Sequence, residues 1–394
     1  MFDISTGLST KTIIMKNLIL FFLLMSLSSC KVGRFVVYNF ADINDHKKFP
    51  SRDIKKGATK FQFPIAEKGK VPKEILQWGG IAKNQFYTSP TLVRKVLSFE
   101  FEQLLEESKT VAFLIIKNDT IQYEKYWGKY DESSIVPSFS MAKSITSILI
   151  GCAIDDKLIK SVNEPITNYI PELKENDFDK VTIENLLQMT SGIKFNESYV
   201  NPFGDAATFY YGKNLRKAIK KMKLEIEPGE RFAYSSGSAQ LLGLVLERAL
   251  KNKTISSYLE EKIWQPLEME FDASWSLDRK KNGLEKTFCC INARARDYAK
   301  IGRLYLNKGK WNDKQIVSEN WVAQSTKIDT TNNSSLRYQY QWWLPSQTGD
   351  FMAQGILGQY IYVNPEKNLI IVRLGKGLGF TDWKTAFVGI SQTY

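Results

Sequence analysis

Read for its apolar and polar positions, the chain runs from a strand-rich start through a helical middle to a strand-rich end. Residues 111–116 (VAFLII) and 121–126 (IQYEKY) flank the polar stretch Lys117-Asn118-Asp119-Thr120. Two β-rich runs around a four-residue polar turn predict a hairpin. A long helix is expected from about Ser140 to Asp156. Its apolar side carries Met141, Ile145, Ile148, Leu149 and Cys152, and a small polar stripe carries Ser140, Lys143, Ser144, Ser147 and Gly151. Helical patterns follow at 183–190, 213–223, 238–251 and 254–264, then near 295–306 and 318–327. Strand patterns return at 339–344 (QYQWWL), 351–354, 359–363 and 369–374, with Asn364-Pro365-Glu366-Lys367-Asn368 as the last turn. Strands at both ends with helices between predict an α+β domain over 106–394. The terminal strands would form one antiparallel sheet and residues of about 155–290 a helical lobe. A cleft between the two is the expected place for a site.

The first hundred residues read differently. Residues 18–27 (LILFFLLMSL) are an apolar run preceded by Lys11 and Lys16. Ten apolar residues are about half of the ~20 that a spanning helix needs, so the run reads as a secretory signal over 1–29. It ends in Leu27-Ser28-Ser29-Cys30, which resembles a bacterial lipobox. That resemblance implies lipid attachment at Cys30 and a location in the cell envelope, anchored to a membrane and facing the periplasm or the exterior. An ordinary cleaved signal with a chance cysteine is the alternative. Met15 fits the usual start of such a signal, which makes residues 1–14 an extension ahead of it. Residues 30–105, with Pro50, Pro64, Pro72 and Pro90, read as a tether and lead-in that packs on the main domain.

Composition narrows the chemistry. With 43% apolar residues the chain can bury a sizeable core. The net charge of +12 invites a nucleic-acid reading, yet 54 basic residues are interleaved with 42 acids and show no basic stripe or binding motif. No nucleic-acid partner is expected. The sole histidine, His46, lies in the lead-in, far in sequence from every other candidate. A Ser-His-Asp triad or a multi-His zinc site therefore has little material, and neither metal nor cofactor is expected. Any hydrolytic base is better sought among the lysines. Cys152 reads as a small buried hydrophobe. Cys289 and Cys290 are neighbours, which rarely form a relaxed bridge, so no disulfide is expected.

The segment PSFSMAKSITSILIG supplies such a base. Ser140 and Lys143 are three apart and share one helix face. Ser140 sits at the helix start, where unpaired N–H groups and the dipole favour negative charge. A serine hydroxyl needs an adjacent base, and desolvation helps a lysine to become one. The Ser-x-x-Lys spacing also occurs at Ser28–Lys31 and Ser191–Lys194, but only Ser140 opens a long apolar helix. An N-cap serine with an exposed lysine is the alternative. Further on, PGERFAYSSGSAQLL places Tyr234-Ser235-Ser236 at another helix start. Tyr234 is a candidate proton relay and Ser236 a candidate partner of the lysine and the substrate. Capping by Ser235 or Ser236 is the plainer role. Near the end, Gly355 and Ile356 lie between two strands, where glycine admits close backbone approach.

These three elements, in this order, resemble the serine β-lactamase and penicillin-binding-protein superfamily. The likeness covers roughly 105–375 and is strongest to class C β-lactamase-like hydrolases of the 6-aminohexanoate-dimer-hydrolase and esterase-like branch. YIPEL (169–173), LLQMTSGI (186–193), QPLEM (265–269), ARDYAKIGRLYLNKGKW (295–311) and YQWWLP (340–345) support it. The resemblance implies a five-stranded antiparallel sheet flanked by helices, with an all-helical lobe. It implies Ser140 as acylated nucleophile, Lys143 as base and Tyr234 as proton relay. Ser236 stands where an asparagine is common. Gly355 matches the last residue of the Lys-Thr-Gly motif, so the N–H groups of Ser140 and Ile356 would form the oxyanion hole. The motif's first two positions are Ala353 and Gln354, which lack the cation that helps hold a substrate carboxylate.

That departure favours an ester or amide with a less charged acyl group. D-Ala-D-Ala peptides and β-lactams stay open as alternatives, as does an acylatable, sensor-like lipoprotein without turnover. Trp342 and Trp343 are candidate walls of an apolar acyl pocket, or else core. Asp205, Tyr210 and Tyr211 lie in a stretch expected either to overhang the cleft or to belong to the lobe surface.

Overall fold

The computed structural model describes residues 14–18, 31–38, 40–67, 101–379 and 381–394. Cys30 and the signal run 19–29 lie outside them, as does much of the lead-in. No helix among the described residues is long and apolar enough to cross a membrane.

In chain order the strands are β1 (Ser51–Ile54), β2 (Thr110–Lys117), β3 (Thr120–Tyr126), β4 (Val136–Pro137), β5 (Ala273–Ser276), β6 (Ile291–Ala293), β7 (Lys310–Trp311), β8 (Lys314–Gln315), β9 (Tyr338–Gln339), β10 (Trp342–Trp343), β11 (Phe351–Gly355), β12 (Gln359–Asn364) and β13 (Leu369–Gly375). The main sheet is antiparallel with order β3-β2-β13-β12-β11-β10-β9. The first hairpin and the C-terminal strands thus meet in one sheet through the β2–β13 pairing, as the pattern predicts.

Side chains alternate across a strand, and here both faces are covered. Phe113 and Ile115 of β2 pack with Tyr360, Ile371 and Phe387 on one side. Ala112, Leu114 and Ile116 join the other side, with Ile361, Val363, Ile370 and Val372. The first face is closed by the helices Phe101–Glu107 and Trp383–Gln392, and the second by the helix Ala295–Leu306. Burial on both faces explains why VAFLII is a continuous apolar run.

The sheet has seven strands where the family resemblance implies five. The strand expected at 339–344 is split into the short pair β9–β10, joined by Tyr340 and Gln341 with φ of 36° and 70°. A two-residue loop with both φ positive matches strand twist but ordinarily uses glycine or asparagine. Here the lobe holds it: Gln341 Nε2 donates to the Leu186 and Leu187 carbonyls, and the Tyr340 hydroxyl donates to Glu184. A second, smaller sheet has order β1-β5-β6-β4.

Between β4 and β6 in sequence lie the helices of the lobe. Among them are Ile183–Leu187, Asp205–Tyr211, Leu215–Ile219 and Ser236–Leu250. The long helix Met141–Asp155 runs through the interior, with Met141 to Ala153 all buried. The lead-in wraps onto the lobe: Phe35 packs edge-on against Tyr211 and Phe49 against Tyr210. Asp45 accepts the Tyr210 hydroxyl at 2.6 Å. Tyr210 and Tyr211 are therefore buried wall residues of a helix, and the expectation of an overhanging loop is corrected for them.

Candidate active site

The approach to Ser140 is rigid. Pro137 of β4 pairs with Asn292 of β6, the Ser138 N–H donates to the Ile291 carbonyl at 2.7 Å, and Ser138 Oγ accepts the Ile291 N–H. Phe139 then adopts φ 43°, an uncommon value for a bulky residue, and turns the chain into the helix. Ser140 occupies the N-cap position, yet its side chain caps nothing. Its hydroxyl lies 2.8 Å from Lys143 Nζ. Lys143 is 1% exposed, so the picture of a capping serine beside a solvated lysine does not describe this helix start.

Lys143 Nζ has two further partners, Ser236 Oγ at 3.2 Å and the Phe288 carbonyl at 2.9 Å. All three are neutral oxygens. Ser236 reaches the lysine because Ser235 takes the capping duty, accepting from the N–H groups of Gly237 and Ser238. The Tyr234 ring sits with its centroid 5.0 Å from Lys143 Nζ and stacks on Trp343 at 5.6 Å. Ser140, Lys143, Tyr234 and Ser236 thus converge from two helix starts. Ser191 and Lys194 do not: Ser191 bonds Ser238 in the interior, and Lys194 is exposed. His46 bonds the Ile43 carbonyl within its own turn.

Gly355 ends β11 against the nucleophile segment. A Cβ there would lie 2.4 Å from the Ser138 carbonyl oxygen and 3.0 Å from the Ser140 nitrogen. Only glycine lets the two backbones approach so closely. The N–H groups of Ser140 and Ile356 flank this contact, one at the helix start and one in the turn after Gly355. The turn that follows Gly355 is anchored by buried Arg373, which donates to the carbonyls of Gly358, Ser108 and Gly377.

Ser140 opens into a cavity of about 240 Å³. Phe139, Ala207, Tyr210, Phe288 and Leu357 are among its walls, and among the described residues no Lys, Arg, Asp or Glu lines it. The lead-in contributes Phe40 and Ala41. Trp342 is not part of this wall. It is fully buried, with Tyr305 at 4.4 Å and Phe351 at 5.4 Å, because neighbours on a strand point to opposite faces. Trp343, on the other face, is not among the cavity's lining residues and meets the site through Tyr234, on which it stacks, and Tyr338. Cys289 and Cys290 also correct an expectation: they are joined in a disulfide, which the backbone accommodates with Cys290 at φ 75°. Cys152 is buried as expected, and burial pushes its thiol up.

Sequence reasoning missed several residues here. Glu197 accepts both the N–H and the hydroxyl of Ser236, and the Tyr199 hydroxyl donates to it. Phe288 matters twice, through its carbonyl, which accepts from Lys143, and through its ring in the cavity wall. None of these carries a motif, and they meet the site only through the fold. No cluster of three or more His, Cys, Asp or Glu residues suited to a metal ion occurs among the described residues.

Comparison with known proteins bears on the family and the fold. The sequence model of the Beta-lactamase family matches residues 100–390. The chain therefore belongs to the Beta-lactamase family. Within it, fold and relatives place the chain among the β-lactamase-related serine hydrolases. It is 26% identical over 297 residues to a 6-aminohexanoate-dimer hydrolase of Paenarthrobacter ureafaciens, covering 70% of this chain and 74% of that protein. The solved structure of a Bacillus anthracis protein, provisionally assigned as a 6-aminohexanoate-dimer hydrolase, superimposes with TM-score 0.72 at 23% identity, over 87% of this chain and 91% of that one. A family VIII carboxylesterase superimposes with TM-score 0.59 at 18% identity, over 78% and 98%.

Proposed function

We propose that the protein hydrolyses an ester or amide with an uncharged, apolar acyl group through an acyl-Ser140 intermediate. One observation carries this reading: the Ser140 hydroxyl, unused as a cap, lies 2.8 Å from a buried lysine at the mouth of an apolar cavity. Lys143 takes the hydroxyl proton as Oγ attacks the carbonyl carbon. The oxyanion forms between the N–H groups of Ser140 and Ile356, at the positive end of the helix. Tyr234, whose ring faces Lys143, passes its hydroxyl proton to the leaving group and takes in exchange the one that Lys143 received from Ser140, so both groups return to their starting states. Water then releases the acyl group.

The apolar and uncharged wall that the described residues form supports the substrate class. Burying an unpaired carboxylate against such a wall is costly, while an alkyl or aryl acyl chain gains about 25 cal/mol per Å² removed from water. The relatives' names, a dimer hydrolase and a carboxylesterase, agree with ester or amide cleavage. Export and lipid attachment at Cys30 belong to the same proposal and rest on the apolar run 18–27. The test is a panel of p-nitrophenyl esters, aryl amides, nitrocefin and a D-Ala-D-Ala peptide against wild type and Ser140→Ala. The reading expects turnover of the apolar esters or amides, lost in the variant. Faster turnover of nitrocefin or the peptide would replace it with the β-lactamase or carboxypeptidase alternative. Acylation without release would favour a sensor.

A further inference from the structure

We infer that Glu197 is a positioning residue that dictates where Lys143 directs its lone pair; this rests on the acyl-serine chemistry proposed above. The observation is an unbroken line of hydrogen bonds. Ser140 Oγ is 2.8 Å from Lys143 Nζ, Lys143 Nζ is 3.2 Å from Ser236 Oγ, and Ser236 Oγ is 2.5 Å from Glu197 Oε1. Glu197 Oε2 accepts the Ser236 backbone N–H at 2.8 Å, and the Tyr199 hydroxyl adds a bond of 2.6 Å to Oε1.

Counting protons along this line gives the consequence. An ionised carboxylate can only accept. Ser236 has one hydroxyl proton, and Glu197 engages it. Towards Lys143, Ser236 Oγ can therefore only accept. The Phe288 carbonyl, 2.9 Å from Nζ, also can only accept. A neutral amine has two N–H bonds and one lone pair. Both N–H bonds are committed to Ser236 and Phe288, so the lone pair is left for Ser140. During attack the Ser140 O–H bond breaks and its proton moves to that lone pair. Oγ bonds the carbonyl carbon, and the carbonyl π electrons move to the oxyanion. The resulting ammonium has three N–H bonds for the same three oxygens.

The Glu197→Gln substitution reverses the polarity. The Ser236 N–H holds the amide oxygen where Oε2 now sits, so the new NH₂ group faces Ser236 Oγ. Ser236 must then accept from that amide and offers its own proton to Lys143, in competition with Ser140.

The test measures burst-phase acylation by p-nitrophenyl butyrate in the wild type, Glu197→Gln, Ser236→Ala and the double variant, with thermal melts as a check of folding. Glu197→Gln is expected to lower the acylation rate by roughly 10- to 100-fold, part of what a general base contributes, with KM little changed. In the Ser236→Ala background the same change is expected to cost nothing further, because the misdirected hydroxyl is gone. A role limited to holding the loop would instead add in full. A wild-type rate in Glu197→Gln, or full additivity, overturns the inference. If Glu197→Gln fails to fold, Glu197→Asp must acylate faster than Glu197→Ala, and equal rates overturn it. A wild type that is never acylated at Ser140 refutes the underlying reaction instead.

Discussion

Replacing Gly355 with alanine perturbs the site with a single methyl group. Gly355 has φ −130° and ψ 158°, which alanine adopts freely, so conformational strain is not the cause of any effect. The effect comes from contact. The new Cβ would stand 2.4 Å from the Ser138 carbonyl oxygen, where real Cβ contacts essentially never fall below 3.0 Å, so a shift of at least 0.6 Å is required. Neither side yields easily. Ser138 is clamped to Ile291 by two hydrogen bonds, and β11 is paired along its length with β12. The methyl would also stand 3.0 Å from the Ser140 nitrogen, beside the proposed oxyanion position. Overpacking of this kind costs about 1–3 kcal/mol of stability. Loss or misplacement of one oxyanion donor costs about 10²–10³ in kcat. We therefore expect Gly355→Ala to fold with a modestly lowered Tm and to lose about 10²-fold in kcat, with KM within a few-fold. Steady-state kinetics on an apolar p-nitrophenyl ester, paired with calorimetry, measures both. Wild-type kcat in a folded Gly355→Ala would refute the placement of the oxyanion hole at the Gly355–Ile356 turn.

Further outcomes follow from the same geometry. Lys143→Met keeps most of the side-chain volume but removes the base, and the acylation rate should fall by about 10²–10⁴, read by stopped-flow burst kinetics. Trp342→Ala empties a core position and should cost about 3–5 kcal/mol in denaturant unfolding, while the folded fraction still acylates; Trp343→Ala should do the reverse, sparing stability and slowing turnover through Tyr234. Lys286 is fully buried over the Phe49 ring, donates to the Tyr210 carbonyl, and feels Arg34, Asp278 and Asp45. Burial first, then Arg34, holds it well below its ordinary value of 10.5. The unfolded chain therefore binds this proton more readily, and the contribution favours folding above pH 10.5 and is lost as pH falls below it. Lys286→Met should melt higher than wild type at pH 7, with a narrowing gap towards pH 10; an unchanged gap would contradict the assignment.

The α+β layout was legible because its strongest signals are periodic. VAFLII and LIIVRL are buried on both faces, and the helix after Ser140 is apolar for most of its circumference. The Ser140–Lys143 spacing was legible because one helical turn brings the two together whatever the rest of the fold does. Other features depended on distant parts of the chain. The β9–β10 turn at Tyr340 and Gln341 has positive φ without glycine, and is held by distant partners, the Ile183–Leu187 region and the Ser144 hydroxyl, which donates to the Gln341 carbonyl. The helix Trp383–Gln392 was not among the expected elements, although Asp382 caps it, and its apolar side is fixed by packing on the distant residues Phe113 and Tyr360. Trp342 and Trp343 could not be told apart until the strand register assigned their faces. Glu197 has no local signal, since its importance arises from meeting Ser236 across the lobe. The Cys289–Cys290 bridge runs against expectation because the local backbone, with Cys290 at φ 75°, brings the two sulfurs together.

The central claim is that Ser140 forms a covalent acyl-enzyme with Lys143 as its base. Intact-protein and peptide mass spectrometry after brief exposure to a slow apolar p-nitrophenyl ester tests it most directly. The account predicts one acyl adduct on the peptide containing Ser140, absent from Ser140→Ala and strongly delayed in Lys143→Met. An adduct on another residue, or one that persists in Ser140→Ala, would contradict it.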